Sequence, residues 1–152
     1  REVRRLLPRP LGRPAGRGLR AGRRALHARG FRYRVHAKDM PGTPDLVLRY
    51  RAVIFVHGCF WHRHEGCRYT TNPATRPEFW LEKFAANIAR DRSTCTVLLG
   101  EGWRVATVWE CALRKPWQIG IATDLLAEWL GGGLGTVEIG EADVVAAETI
   151  LG

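Results

Sequence analysis

The sequence predicts an α/β fold in which a mixed β-sheet is flanked by helices. Three observations point there. Ala52-Val53-Ile54-Phe55-Val56 is an unbroken apolar run, the pattern of a strand buried on both faces. Phe31-Arg32-Tyr33-Arg34-Val35-His36 alternates aromatic or apolar with polar side chains, as a strand with one wet face does. Thr75-Arg76-Pro77-Glu78 carries a helix-start signature, and such helical segments are interspersed with the strands along the chain.

Taken in order, residues 1–24 are biased toward Arg, Gly, Pro and Leu, with Pro8, Pro10 and Pro14 breaking any helix. Residues 1–22 therefore read as a disordered basic arm. A short helix is expected over residues 19–29, with Leu26 on its apolar side and Gly30 as its stop. After the strand at 31–36, Pro41-Gly42-Thr43-Pro44 forms a turn, and Asp45-Leu46-Val47-Leu48 a short strand leading to the buried run. In the following helix Thr75 is expected at the N-cap, Pro77 in the first turn and Glu78 as the capping-box acid. Trp80, Phe84, Ile88 and Leu98 supply its inward face as far as Gly100. Residues 103–109 read as another strand, and 123–130 as a short helix stopped by Gly131-Gly132-Gly133. Residues 23–130 thus form the domain, and residues 131–152 an acidic, Gly-rich, weakly attached tail.

The length of 152 residues suits one domain with its own core. Hydrophobic content of 45% and charged content of 26% exclude a disordered chain. A net charge of +9 points to an anionic partner, nucleic acid above all. The charge is unevenly spread: residues 1–24 hold +8, residues 25–130 hold +5 and residues 131–152 hold −4. No run approaches the roughly 20 apolar residues that span a bilayer, and Leu6-Leu7 is cut off by Pro8, so no secretory signal follows the basic start. Cys59, Cys67, Cys95 and Cys111 suit metal ligation in a reducing compartment better than a disulfide framework, which places the protein in the cytoplasm.

Cys59-x4-His64-x2-Cys67, completed by a distant cysteine, has the spacing of a structural zinc site with four tetrahedral N or S ligands. Cys111 fits as the fourth ligand because it follows the 103–109 strand, expected beside the buried one. Cys95, in the long helix, reads as a small buried apolar side chain. His57 and His62 flank the cluster directly after a buried strand. They are either structural or proton acceptors for a hydrolase, since neutral imidazole can take a proton from water. Phe60-Trp61, between them, is open in the same way: core, or wedges that slide between base pairs.

The run Val53-Ile54-Phe55-Val56-His57-Gly58-Cys59-Phe60-Trp61-His62 decides more than spacing can. Pro44-Asp45-Leu46-Val47 precedes it, and Thr75-Arg76-Pro77-Glu78-Phe79-Trp80, Gly102-Trp103-Arg104-Val105 and Val108-Trp109-Glu110-Cys111-Ala112-Leu113 follow. Over residues 23–115 these motifs closely resemble the very-short-patch repair (Vsr) DNA mismatch endonucleases. The resemblance implies a restriction-endonuclease-like fold and a magnesium-dependent enzyme acting on double-stranded DNA. The nick would fall 5′ of the thymine in a G·T mispair, the product of 5-methylcytosine deamination.

The same resemblance implies that Asp45 binds Mg2+, with the backbone carbonyl of Val56 as a second contact. His62 would be the general base and His57 its companion at the same centre. Zn2+ on Cys59, His64, Cys67 and Cys111 would hold the loop carrying both histidines, and Phe60 and Trp61 would enter the DNA beside the mispair. A G·T wobble stacks and pairs less well than a normal pair, so opening the stack there costs less. Mismatched duplex DNA is the implied partner, with mismatch-repair proteins beyond it; a monomer without membrane contact is expected.

The chain departs from the family's pattern at its start. The family's first helix carries a Glu near the active site and, in some members, an apolar N-terminal side chain that enters the minor groove. Here the acid's position falls near Leu19, and no acid lies between Val3 and Asp39. Met40 is the only methionine, so residues 1–22 read as a segment translated from a wrong start or frame. One extra residue in Glu65-Gly66 separates His64 from Cys67 relative to some members, and Gly66 is expected to absorb it. The rival reading is a catalytically impaired, zinc-stabilised module that binds mispairs. A zinc hydrolase working at the cysteine site is disfavoured, because four protein ligands leave no position for water.

Overall fold

The computed structural model describes residues 14–151. Along them run α1 (Pro14–Ala28), β1 (Tyr33–Val35), β2 (Leu46–Leu48), β3 (Ala52–His57), α2 (Cys59–His62), α3 (Pro77–Gly100), β4 (Arg104–Trp109), a 3-10 turn (Glu110–Ala112), α4 (Pro116–Gly131), β5 (Thr136–Ile139) and α5 (Glu141–Leu151). The five strands form one sheet in sequence order. β1, β2 and β3 are antiparallel neighbours, whereas β4 and β5 join parallel to β3 through the α3 and α4 crossovers. The expected mixed sheet is therefore present.

The apolar run of β3 is buried from Ala52 to Phe55, and its alternate residues feed two cores. Ile54 joins Leu46, Ala106, Val108 and Ile139 against Leu26 of α1 and Ala122, Leu126 and Trp129 of α4. Val53 and Phe55 join Val47 and Val105 against Leu98 of α3. Helices thus cover both faces, and the C-terminal end of the parallel strands is left to carry the site.

Four expectations need correction. Residues 14–22 belong to α1 and not to an arm, because Pro14 takes the first helical position, where a missing N–H costs nothing; residues 1–13 lie outside the described residues. Thr75 is not the N-cap of α3: Arg76 is, with φ 51° and ψ 56° and no side-chain cap. A cap at Thr75 would force Arg76 into the right-handed helical region directly before Pro77, whose ring disfavours it. α4 begins at Pro116, seven residues earlier than 123, since Gln118 Oε1 accepts the backbone N–H groups of Arg114 (3.1 Å) and Lys115 (2.9 Å). The weakly attached tail is instead part of the sheet: β5 pairs with β4 from Val105–Thr136 to Val108–Ile139, and Ile139 and Val144 are buried.

Candidate active site and metal centre

β2 and β3 deliver an acid and an imidazole to one end of the sheet. Asp45 stands just before β2, and the N–H of Val56 donates to its Oδ2 at 2.6 Å, one residue short of His57. β3 ends at His57; the chain then turns into α2, where the N–H of His62 bonds back to the Gly58 carbonyl at 3.1 Å. That turn stacks the His57 and His62 rings, with centroids 3.9 Å apart and planes within 5°. His57 and His62 thus meet at the end of β3, with Asp45 held on the backbone one residue before His57.

A fourth residue, absent from the sequence expectation, joins them. Asp91 of α3 places Oδ2 2.7 Å from His62 Nδ1. With a carboxyl oxygen as its partner, Nδ1 is the nitrogen that carries the hydrogen, and Nε2 is left outside this contact. Burial above all, and the neighbouring His62 after it, push the His57 pKa down to about 3 against the opposing effect of Asp91. His57 is therefore neutral near pH 7. The nitrogen and oxygen donors of His57, His62 and Asp91 lie within 4.8 Å of one another.

The face of α3 that carries Asp91 also carries Phe84 and Asn87, at helical spacings of three and four. Asn87 is buried and donates from Nδ2 to the Trp61 carbonyl at 3.0 Å. Two polar residues on an otherwise inward face were the signal available in the sequence. Against the same face lie Phe60 and Trp61, half-buried rather than core. Phe60 meets Trp61, Phe84 and Trp80 at 5.1, 5.3 and 6.0 Å, and Trp61 meets Trp80 at 5.7 Å. Arg63 backs this aromatic ledge, its guanidinium 4.0 Å from the Phe84 centroid and bonded to the Thr71 carbonyl and Asn72 Oδ1.

Beside this site Cys59, His64, Cys67 and Cys111 bring their donor atoms within 4.8 Å of one another. Cys59 and Cys111 are buried, and no disulfide joins any of the four cysteines. Cys111 Sγ lies 3.5 Å from His64 Nδ1; sulfur and nitrogen on neighbouring corners of a zinc tetrahedron stand about 3.5 Å apart, given the usual bond lengths. The Cys59 side chain hydrogen-bonds to Cys111 and lowers its pKa to about 6 against the effect of burial, while Cys59 itself is driven up by the same bond. One sulfur of the pair is thus already disposed to be a thiolate, the ligand form. Thr70 Oγ1 ties the loop to the His64 carbonyl at 2.7 Å, and Gly66, at φ 71°, makes the tight turn that accommodates Glu65-Gly66. Cys95, as expected, packs against the second core instead.

Trp109 links the two centres: its ring stacks on His64 at 4.2 Å and turns an edge to His57 at 5.4 Å. Leu19, at the expected acid's position, lines a small apolar cavity with Leu46, Val56 and Val108.

The family model described as DNA mismatch endonuclease Vsr matches residues 19–69. The chain is 53% identical over 95 residues to the type II nicking enzyme V.XorIIP of Xanthomonas oryzae pv. oryzae, covering 62% of this chain and 69% of that protein. It is 48% identical over 110 residues to the DNA mismatch endonuclease Vsr of Escherichia coli, covering 70% of each. To the type II nicking enzyme V.NmeAIP of Neisseria meningitidis it is 44% identical over 94 residues, 61% of this chain and 66% of that one. Relatives of that identity and coverage, together with a mixed sheet ending in an Asp, His and Cys-rich loop, establish that the chain belongs to the Vsr family of DNA mismatch endonucleases, with their restriction-endonuclease-like fold.

Proposed function

We propose that this protein is a Mg2+-dependent endonuclease that nicks duplex DNA 5′ of the thymine in a G·T mispair. The observation that carries the proposal is the cluster of His57, His62 and Asp91 at the C-terminal end of β3, with Asp45 docked on the Val56 amide next to it in sequence.

Asp45 and the Val56 carbonyl are hard oxygen donors, and one or two such groups with retained waters are what Mg2+ takes. When bound, the ion polarises the scissile phosphate and stabilises the leaving oxygen. His62 accepts a proton from the attacking water at Nε2, and Asp91 steadies the imidazolium through Nδ1–H. His57, held neutral, keeps charge repulsion away from that imidazolium and braces its ring by stacking. A separate zinc ion on Cys59, His64, Cys67 and Cys111 fixes the loop from which His57 and His62 project. Phe60 and Trp61 enter the duplex at the mispair, supported from behind by Arg63 and Trp80.

Two of the three relatives described above carry the printed name of nicking enzyme, which favours single-strand cleavage. The test is a duplex labelled on each strand and carrying G·T, A·T or G·C at one position, incubated with Mg2+. The expected product is one nick in the T strand of the G·T duplex alone. Cleavage of both strands, or equal cleavage of all three duplexes, would overturn the reading. Leu19, apolar at the position of the family's acid, favours a second reading in which the chain binds mispairs but cleaves them poorly; G·T-selective binding without any nick supports that one.

A further inference from the structure

The C-terminal segment, which its acidity suggested was loose, closes over the cysteine cluster through two consecutive residues. Gly140 lies between β5 and α5 and faces the His64 imidazole at the place a side chain would occupy. A Cβ there would sit 2.8 Å from His64 Cε1 and 3.2 Å from Nε2. The ring has little room to retreat, since its face is stacked on Trp109. The backbone N–H of Glu141, the first residue of α5, donates to Cys111 Sγ at 3.2 Å. The Glu141 carboxylate reaches Arg68, the residue after Cys67, at 2.5 Å. Three of the four donors, or their immediate neighbours, are therefore touched from one short segment. That segment is itself anchored: Asp143 Oδ2 accepts the Gly140 N–H at 2.8 Å, and Val144 is buried in the core.

We propose that Gly140 and Glu141 form an outer clasp for the zinc site, orienting His64 and Cys111 and slowing loss of the metal. The proposal rests on the zinc reading given above. Its physical content is threefold. The positive end of α5 and an aimed N–H offset the charge of the Cys111 thiolate. The bare backbone of Gly140 lets the imidazole lie in its ligating orientation. The Arg68–Glu141 pair ties the loop to the helix, although an exposed ion pair alone contributes little. Groups just outside a metal's ligands commonly change its affinity about 10- to 100-fold.

The experiment follows zinc transfer from the full chain to a chromogenic chelator, with zinc content measured first. Glu141→Pro deletes the N–H at a first helical position, where proline is tolerated. Glu141→Gln keeps the N–H and removes only the ion pair. Gly140→Val crowds His64. Circular dichroism establishes that each variant is folded, and the Glu141 pair decides the matter should Gly140→Val not fold. Glu141→Pro and Gly140→Val are expected to release zinc about 10-fold faster or more, and Glu141→Gln at close to the wild-type rate. In the cobalt-substituted protein the thiolate-to-metal charge-transfer band should move in Glu141→Pro and stay in place in Glu141→Gln. Zinc released by Glu141→Pro at the wild-type rate, with an unmoved band, overturns the clasp alone. A wild-type protein that neither contains zinc nor takes it up overturns the zinc reading and the clasp together.

Discussion

His62 takes its tautomer from Asp91, which stands 29 residues further along the chain and on another helix. The hydrogen bond leaves Nε2 as the basic nitrogen and gives the imidazolium an anionic partner once it forms. Asp91→Asn keeps the size and a possible hydrogen bond but removes the charge. We expect its single-turnover nicking rate to fall roughly 100-fold, with mismatch affinity within about twofold of wild type; an unchanged rate would remove Asp91 from the mechanism. Arg63 makes a different kind of prediction. Its guanidinium rests on Phe84 and Phe60 and bonds across to Thr71 and Asn72, so Arg63→Ala loses packing as well as charge. Chemical denaturation should show a loss of about 1–2 kcal/mol, and binding to the G·T duplex should weaken more than binding to the matched one.

Elements differ in how plainly their sequences announced them, and the reasons are physical. β3 was legible because a strand covered on both faces must be apolar throughout, and nothing else in the chain reads Ala-Val-Ile-Phe-Val. The cysteine–histidine cluster was legible because three of its members are local and the fourth follows the neighbouring strand; the register β3–β4, with His57 opposite Trp109, brings Cys111 alongside. β5 was hidden by its charge: Val137 and Ile139 alternate with Thr136 and Glu138, but four residues of alternation in a stretch of net −4 do not outweigh their surroundings. Asn87 and Asp91 escaped because a helix face is read from its apolar members, and polar residues on it look like interruptions. The role of α2 is more informative still. Four residues cannot hold a helix by themselves, so the order of the His57–His62 loop depends on the cysteine cluster. Zinc removal with a strong chelator, or Cys67→Ala, should lower the thermal midpoint and broaden the transition, followed by calorimetry. Cys95→Ala should leave zinc content unchanged, and a drop in zinc with that variant would mean the ligand set is wrong.

At the scale of the molecule, the sheet sorts its functions by edge and by end. Helices seal both faces, the C-terminal end of β3 carries the histidines of the proposed site, and β4 carries Trp109 between the two clusters. The body from residue 25 to 130 retains +5 of charge while the segment that covers the cysteine cluster is acidic, so the basic surface is not uniform. Phosphate contacts release counterions, and each lowers the slope of log affinity against log salt by about 0.9. Matched-duplex binding should therefore weaken steeply between low and moderate salt. The proposed preference for G·T over G·C, which would rest on aromatic insertion and easier unstacking, should vary far less over the same range; titrations at several salt concentrations measure both. Among the described residues no helix is long and apolar enough to cross a membrane.

Asp45, docked on the Val56 amide one residue before His57, is proposed to organise the cleavage of a phosphodiester with magnesium. Single-turnover nicking of a G·T duplex by wild type and by Asp45→Ala tests it most directly. Loss of several kcal/mol of transition-state stabilisation corresponds to a rate at least about 1000-fold slower, with duplex binding retained. A variant that cuts the T strand within a few-fold of the wild-type rate would contradict the account at its root.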